Sequence, residues 1–248
     1  MERMGNEWPA EKVRAAPLTP DQLAYFESGA TLLIDKPLHW TSFDVVRKIR
    51  GALRIKKVGH AGTLDPLATG LLILCTGKHT KKINEYMAAE KEYIGTITLG
   101  AVTPTYDLES QPEQFRPFDH ITAHDIIEAV KQFTGHQMQT PPIYAAIKKK
   151  GTPLYELARR GEAVDLQPRP VIIHEFEIVA VSLPEISFRV RCSTGTYIRS
   201  LAHDLGASLG CGAYLSGLRR TGIGDWRVTN AVSVDDFLHT LGVKNNEG

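Results

Sequence analysis

The chain has 248 residues, of which 42% are hydrophobic and 23% charged, and 29 basic against 28 acidic residues give a formal net charge of +1. This length and composition can bury a full core, so they exclude disordered and fibrous proteins and predict one large domain or one domain with an insertion. No apolar run approaches the roughly 20 residues of a membrane-spanning helix, and the first residues lack a signal-peptide core, so we expect no membrane association.

The cysteines and histidines give no sign of a disulfide framework or a metal site. Three cysteines, odd in number and far apart, favour reduced thiols in a cytosolic protein. They are Cys75, Cys192 and Cys211. His120 and His124 have the spacing of zinc ligands on a helix, but a helix N-cap is predicted between them at Thr122 and no third ligand is nearby. We therefore predict no metal site.

The N-terminal part of the chain predicts a lead-in, a strand and a helix. Residues 1–29 are polar and contain several prolines, and they end in a short predicted helix at Asp21–Phe26. Thr31–Lys36 is predicted to form a buried strand that stops at Pro37. Ser42 is then expected to cap a helix with one apolar face. That face comprises Val45, Val46, Ile49 and Leu53.

Residues 45–60 contain six cations and no acidic residue. The cations are Arg47, Lys48, Arg50, Arg54, Lys56 and Lys57. A solvated helix face is the usual explanation for such charges. A stripe immediately before the loop described next would also suit a phosphate backbone, as a nucleic-acid-binding protein requires.

The most distinctive stretch is residues 59–72, with the sequence GHAGTLDPLATGLL. Three glycines and one proline predict a tight, irregular backbone with the carboxylate of Asp65 in its middle. The apolar run at 71–75 predicts a buried strand, which would deliver Asp65 to the mouth of a sheet on a rigid support. The dipeptide Asp65-Pro66 taken alone would indicate only a turn.

The remaining elements alternate between strands and helices. Lys78 is expected to open a helix that runs to about Met87. Helix caps are predicted at Thr122 with Asp125 and at Ser233 with Asp236. Strands are predicted at Lys91–Leu99, Val171–Ala180 and Ile186–Arg191, the last two paired across Pro184.

A further helix is predicted after Gly195, with one apolar face. This face comprises Ile198, Leu201, Leu205 and Leu209. Arg199 lies off this face in the first turn, near the positive end of the helix dipole. An arginine is electrostatically unfavourable at that position, so we expect it to have an anionic partner.

The segment from Lys131 to Arg169 has seven Lys and Arg residues against three Asp and Glu, with Tyr144 and Tyr155 among them. Cations combined with aromatic side chains on a long, glycine-interrupted excursion suit a mobile clamp on RNA.

The stretch GHAGTLDPLATGLL closely resembles the signature of the TruB-type tRNA pseudouridine synthases over fourteen consecutive residues. KPLHWTS is similar to the family's KPxGxTS motif, with His39 in place of glycine, and TPTYD is similar to TxTxD, with Ser110 where a glycine is usual. KEYIGTITLG and GTYIRSLA also resemble family segments, in the expected order. The resemblance covers about residues 30–225.

This resemblance implies an α+β pseudouridine-synthase fold, with a central mixed, largely antiparallel sheet flanked by helices and an inserted RNA-binding thumb. We expect a lead-in at 1–29, a catalytic domain at 30–232 with the thumb at about 136–170, and a short C-terminal helix and tail at 233–248. Longer members of the family continue into a PUA-type RNA-binding domain, for which the residues after Trp226 are too few.

Three catalytic residues follow from the resemblance. Asp65 matches the essential Asp of GTLDP. Arg199 matches the arginine of GTYIRSLA that pairs with this carboxylate, which would hold Asp65 ionised at neutral pH. Tyr93 in KEYIGTITLG matches the tyrosine that contacts the target base, and family mechanisms place a tyrosine at the C5 proton.

Three further residues match positions that bind the substrate. Tyr197 and Leu218 correspond to residues that line the uridine pocket. His60 resembles the residue that helps to wedge the base out of its stack, and the alternative is an ordinary loop histidine.

The activity implied is isomerisation of uridine to pseudouridine at position 55 in the T-loop of tRNA. The reaction breaks the bond from ribose to N1, turns the uracil and rejoins it through C5, and it needs no cofactor. Asp65 would either attack the sugar carbon or take a neighbouring proton to give a glycal, and the sequence leaves both open. The expected partner is the tRNA T-arm, bound by a cytoplasmic monomer.

Two rival functions come from other classes. The first is an RNA-binding protein or tRNA chaperone with incidental isomerase activity, and the intact set of Asp65, Tyr93 and Arg199 argues against a purely non-catalytic version. The second is a carboxylate-dependent glycoside hydrolase, which would need a second acid paired with Asp65, and the motif contains none.

Overall fold

The computed structural model describes residues 18–144, 148–149, 152–153 and 166–242. Its helices are α1 (Pro20–Ser28), α2 (Ser42–Leu53), α3 (Ile83–Ala88), α4 (Ala123–Lys131), α5 (Ile198–Ser208) and α6 (Val234–Thr240), with 3₁₀ turns at Gly77–Lys82 and Val228–Asn230. Its strands are β1 (Thr31–Lys36), β2 (Val58–His60), β3 (Ala68–Thr76), β4 (Lys91–Leu99), β5 (Gly135–Gln139), β6 (Lys148–Lys149), β7 (Thr152–Pro153), β8 (Arg169–Ser182), β9 (Glu185–Cys192), β10 (Ala213–Ile223), β11 (Trp226–Arg227) and β12 (Val232–Ser233).

Ten strands form one sheet, in the order β12-β1-β3-β10-β4-β9-β8-β5, with β11 paired to β10 and β2 to β3. Within the described part of the chain, β1 pairs with β12 and β3 with β10 in parallel, and the other pairs are antiparallel. The predicted mixed, largely antiparallel sheet is therefore confirmed. The short strands β6 and β7 pair separately, and about half of the predicted thumb lies outside the described residues.

Two main apolar clusters hold the helices on the sheet. Helices α4 and α5 pack with β4, β8, β9 and β10, whereas α1, α2 and α6 pack with β1 and β3. The apolar face predicted for α2 is confirmed, because Val45, Val46, Ile49 and Leu53 are all buried. Burial of each such side chain stabilises the fold by about 1.5–3 kcal/mol. Among the described residues, no helix is both long and apolar enough to span a membrane.

The predicted cap of α2 is wrong by one residue. Thr41 is the N-cap: its Oγ1 accepts from the Asp44 N–H at 3.0 Å, while the Asp44 carboxylate accepts from the Thr41 N–H at 2.9 Å. Ser42 lies inside the helix and is buried, and its Oγ accepts from the Leu64 N–H at 2.8 Å. Both residue types cap helices well, so the choice depends on a tertiary partner 22 residues away.

The turn between β1 and α2 has the left-handed backbone conformation that favours glycine. His39, which stands at the glycine position of the family motif, adopts a φ of 65°, in the left-handed region. Its N–H donates to the Pro66 carbonyl at 2.9 Å. This contact joins the turn directly to the loop that carries Asp65.

Other boundaries differ in detail from the sequence predictions. The helix expected from Lys78 to Met87 begins with a 3₁₀ turn, and its α-helical part is confined to α3. The predicted caps at Thr122 and Ser233 are confirmed, since each side chain accepts the N–H of the aspartate three residues later. The strands predicted on either side of Pro184 are present as the antiparallel pair β8 and β9.

Candidate active site

The loop that carries Asp65 borders an open cavity of about 320 Å³. Because β10 lies between β3 and β4, it pairs Leu218 with Ala68 at the start of β3 and Arg220 with Tyr93 on β4. The cavity is lined by loop residues 62–65, by the start of β4, by the turn at 193–199 and by β10. The sheet thus brings segments from the whole chain around one carboxylate.

Asp65 forms an ion pair with Arg199 at the start of α5. The Arg199 Nε lies 3.0 Å from Oδ2, and Nη2 donates to Oδ1 at 3.3 Å. Nε is not aligned for a hydrogen bond, so its contact is charge pairing. The Arg199 side chain is 5% exposed, whereas that of Asp65 is 37% exposed, at the cavity wall. The carboxylate therefore keeps a free face towards the cavity while its partner is held behind it.

The guanidinium of Arg199 is also held by the TPTYD segment. Nη1 donates to the Thr105 carbonyl at 3.1 Å and lies 3.7 Å from the buried carboxylate of Asp107. Asp107 in turn accepts the Glu109 N–H, and Ser110 Oγ accepts the Thr105 N–H. The sequence showed this motif but assigned no role to Asp107, because nothing in the sequence indicated its contact with Arg199.

The ionisation of Asp65 is subject to opposing influences. Burial raises the pKa of Asp65 above its ordinary value, and the neighbouring negative charge of Asp107 adds to this. The positive charges of Arg199 and Lys36 oppose the rise in this pKa but do not reverse it. Pairing with Arg199 is therefore only one contribution to the ionisation of Asp65, and desolvation outweighs it.

Two buried side chains from α2 and β1 support the Asp65 loop. Besides accepting the Leu64 N–H, Ser42 Oγ donates to the Leu64 carbonyl at 3.2 Å. Lys36 is fully buried, and its Nζ donates to the carbonyls of Pro37, Trp40 and Pro66. Burial lowers the pKa of Lys36 to about 8, which the nearby Asp65 charge partly offsets. These contacts fix the backbone on both sides of Asp65.

Arg220 supports the same loop from the sheet side. It is 1% exposed, and its guanidinium donates to the carbonyls of Leu71, Gly62 and Thr63. Gly70 allows the backbone of β10 to lie close to that of β3 at Arg220, because a Cβ at position 70 would lie 2.3 Å from the Arg220 backbone carbonyl oxygen. Lys36 and Arg220 could not be identified as supporting residues from the sequence, since buried cations cannot be distinguished from solvated ones by residue type.

Tyr93, Tyr197 and Leu218 all line the cavity with Asp65 and Arg199. Tyr93 is buried, and burial raises the pKa of its hydroxyl, against the opposing charge of Arg220. Burial likewise raises the pKa of Tyr197. Both phenols are therefore neutral at physiological pH, and they give the cavity wall an aromatic character that suits a planar ligand.

His60 lies at the end of β2, just before the Asp65 loop, and is not among the residues that line the cavity. Its Nδ1 is buried without a hydrogen-bond partner among the described residues. Burial lowers the pKa of its imidazole. The structure thus brings five of the six predicted site residues around one cavity and places His60 beside it.

The described residues contain no group of three or more His, Cys, Asp or Glu side chains that could hold a metal ion. The cavity instead combines one carboxylate, aromatic rings and cationic side chains. This arrangement can hold a flat base and place a carboxylate beside an electron-deficient carbon.

Family models match most of the chain. Residues 50–198 match the model described as TruB family pseudouridylate synthase (N terminal domain). Residues 199–247 match the model described as tRNA pseudouridylate synthase B C-terminal domain.

Curated relatives cover nearly the same length. The chain is 53% identical over 231 residues to a tRNA pseudouridine synthase B of Flavobacterium johnsoniae, which covers 90% of this chain and 100% of the relative. It is 51% identical over 223 residues to the protein of the same name from Phocaeicola vulgatus, covering 87% and 94% of the two chains.

Longer solved structures share the fold. A chain in a Cbf5-Nop10-Gar1 complex matches with a TM-score of 0.68 and 27% identity, over 92% of this chain and 61% of that one. A chain in an H/ACA RNP bound to a substrate RNA containing 2'-deoxyuridine matches with a TM-score of 0.66 and 27% identity, over 87% and 54%. The present chain thus spans little more than half the length of these solved chains.

Proposed function

The chain belongs to the TruB family of pseudouridylate synthases, which isomerise uridine to pseudouridine in tRNA, and we propose that it acts on uridine 55 through the carboxylate of Asp65. The observation that carries this proposal is the Asp65–Arg199 ion pair at the wall of a cavity with aromatic sides. A carboxylate with one free face, held in place by a buried guanidinium, is suited to react with an electron-deficient sugar carbon.

The chemistry divides between two parts of the cavity. At the Asp65 end, the carboxylate attacks the ribose C1' or takes the C2' proton to give a glycal, while the C1'–N1 bond breaks. At the Tyr93 end, the freed uracil turns and bonds through C5 to C1', which either displaces the Asp65 carboxylate or, from the glycal, returns the proton to C2'. The C5 proton then leaves, and N1 gains a proton. Tyr93 stacks on the base and is our candidate for the C5 proton, with Tyr197 and Leu218 completing the pocket wall.

The target base must leave its stack, which costs a few kcal/mol. We propose that RNA contacts repay this cost. The six cations of residues 45–60 and the predicted thumb at about 136–170 supply the positive charge for the T-arm phosphates. His60, beside the Asp65 loop, is our candidate for displacing the base. We further propose that the protein works as a monomer in the cytoplasm, where its tRNA substrate is found.

The glycoside hydrolase alternative is not favoured by the geometry. Asp107 is the nearest second carboxylate described, but it is 4% exposed and is directed at Arg199. A hydrolase of this kind needs its second carboxyl group facing the scissile bond or a water molecule.

The test is to incubate the purified protein with an unmodified tRNA transcript and map pseudouridine at every position. We expect one pseudouridine, at position 55. A matched transcript with cytidine at position 55 should give none. No product, or product only at other positions, would contradict the proposed function.

A further inference from the structure

Lys91 is a buried cation at the cavity wall that the chemistry above does not use. It begins β4, two residues before Tyr93, so the two side chains lie on the same face of the strand. Lys91 is 7% exposed and lines the same cavity as Asp65. A lysine is rarely buried this deeply without a compensating partner.

The partners of Lys91 among the described residues are neutral. Its Nζ donates to the carbonyl of Met87 and, at 2.7 Å, to that of Ala89, which leaves one N–H for another acceptor. No described carboxylate forms an ion pair with it. Burial and, to a smaller extent, the positive charge of Arg220 lower the pKa of Lys91 to about 8, against an opposing influence from Cys192.

Lys91 lies on the Tyr93 side of the cavity, because both residues are on the same face of β4 and both line the cavity. Because the ribose must contact Asp65 and the base must lie against Tyr93, Lys91 faces the part of the base that is remote from the sugar. Because the Lys91 side chain is only 7% exposed, it can contact only a group that enters the cavity. This favours a contact with the base over a contact with a phosphate outside the cavity.

The reaction creates a negative charge at that place. When the C1'–N1 bond breaks, its electron pair leaves with the uracil, and the charge spreads onto the carbonyl oxygens of the ring. An anion in a water-excluded site needs a preorganised positive partner. We propose that Lys91 is a catalytic residue that stabilises the departing uracil anion through its remaining N–H. This proposal depends on the uridine isomerisation proposed above.

The variant Lys91→Gln separates the effect of the Lys91 charge from the effect of its hydrogen bonds to the backbone. It keeps N–H donors for the Met87 and Ala89 carbonyls but carries no charge. Single-turnover rates of loss of the original nucleoside are measured at saturating enzyme on tRNA with either uridine or 5-fluorouridine at position 55. This readout follows cleavage of the C1'–N1 bond and not the later loss of the C5 proton, which fluorine blocks. Fluorine makes the uracil more acidic, so its anion needs less help. We expect the rate with uridine to fall about 10²-fold and the rate with 5-fluorouridine to fall clearly less.

Three outcomes would overturn the proposal. An equal loss with both substrates would show that Lys91 only tethers α3. An unchanged rate with weaker binding and a flatter salt dependence would show a phosphate contact. Unchanged rate and unchanged binding would show no role at all. Lys78→Gln is the matched control, because Lys78 is exposed in the 3₁₀ turn at Gly77–Lys82 and does not line the cavity; it should leave both rates at the wild-type value.

A second measurement needs only the wild-type protein and covers the case in which Lys91→Gln does not fold. Inhibition of the wild-type reaction by free uracil is compared with inhibition by 5-nitrouracil, which is an anion at neutral pH. Stronger inhibition by 5-nitrouracil supports the proposal, and a protein that binds it no better than uracil contradicts it. Failure of the proposed function itself is distinguishable, because wild-type protein would then form no pseudouridine.

Discussion

Two networks of arginine and carboxylate groups in the described part of the chain behave differently. In the cavity, Arg199 joins Asp65 and Asp107. On the partly exposed face formed by β4, β8 and β9, Arg189 and Arg191 bridge four glutamates at distances between 2.7 and 3.5 Å. We call this second group the sheet ladder; its glutamates are Glu90, Glu92, Glu175 and Glu177.

The pKa values of the carboxyl groups shift in opposite directions in the two networks. In the sheet ladder, hydrogen bonds from Arg191 and Arg189 lower the pKa of Glu175. In the cavity, burial raises the pKa of Asp65 in spite of Arg199. The same pair of groups therefore lowers the carboxyl pKa in one place and fails to lower it in the other. The surroundings of the ion pair, not the presence of an arginine, distinguish Asp65 from Glu175: the Arg199 side chain is 5% exposed, whereas that of Arg191 is 37% exposed.

The largest expected effect is on turnover. Asp65→Asn keeps the volume but removes the charge, so turnover should fall to background while tRNA still binds, because binding energy comes mainly from phosphates and stacking. Glu175→Gln makes the same chemical change in the sheet ladder and should leave turnover close to wild type. Both are measured by pseudouridine formation in tRNA. Residual turnover of Asp65→Asn within about tenfold of wild type would remove Asp65 from its assigned role.

The next effect concerns the arginines. Arg199→Lys keeps the charge but loses the planar fork that contacts Asp65, Asp107 and the Thr105 carbonyl. We expect the single-turnover rate to fall about 10²-fold, as for other misplacements of a reacting group. The control Arg191→Lys should change it little. An unchanged rate for Arg199→Lys would show that the pairing does not orient Asp65.

Neither network should supply much affinity for RNA, since both have their cations paired. Lys148, Lys149 and Lys150 in the predicted thumb are better candidates, and each lysine that contacts phosphate should add roughly 0.7–0.9 to the slope of log affinity against log salt. Changing all three to alanine should weaken tRNA binding and flatten this slope, with a much smaller loss in single-turnover rate. Titrations at several salt concentrations that overlay those of wild type would contradict the thumb prediction.

A smaller effect is expected on stability. Ser42→Ala leaves the Leu64 N–H without its partner in the core, so the free energy of unfolding should fall by about 1–3 kcal/mol. Ser182→Ala, the same substitution at an exposed position of β8, should change this free energy by less than about 0.5 kcal/mol. Denaturant unfolding measures both. Equal values for the two variants would show that Ser42 does not support the Asp65 loop.

The smallest expected effect is the pH dependence of stability, and its sign differs between the networks. The raised pKa of Asp65 favours the protonated native state, so wild type loses this contribution as pH rises and Asp65→Asn should gain relative stability. The lowered pKa of Glu175 contributes stability above its unfolded pKa, so Glu175→Gln should converge with wild type as pH falls. Unfolding free energies across a pH series check both trends, and parallel trends would contradict the comparison.

Much of the fold was predictable because it rests on local patterns. Alternation located β4, β8 and β9, and the apolar face of α2 was correct in every position. The cap of α2 was missed because Thr41 and Ser42 are equally good caps, and the contact of Ser42 with Leu64 depends on tertiary structure.

Site residues that belong to a sequence motif were predictable, whereas site residues that are important because they are buried were not. The motifs gave Asp65 and Arg199, and the structure places them in contact. Lys36, Lys91 and Arg220 were missed because their partners are backbone carbonyls, which the side-chain sequence does not display. For the same reason, the positive charge of Arg199 beside Asp65 could be predicted from the sequence, but the desolvation of Asp65 could not.

The most direct measurement of the difference between the networks is the titration of their carboxyl carbons by NMR in a single sample of wild-type protein labelled with ¹³C at Asp and Glu side chains. Asp65→Asn and Glu175→Gln assign the two signals. We expect the pKa of Asp65 to lie above the ordinary aspartate value of about 3.9, and that of Glu175 to lie below the ordinary glutamate value of about 4.3. An Asp65 carboxyl group that titrates below the ordinary value would contradict the claim that burial outweighs Arg199 at the reacting carboxylate.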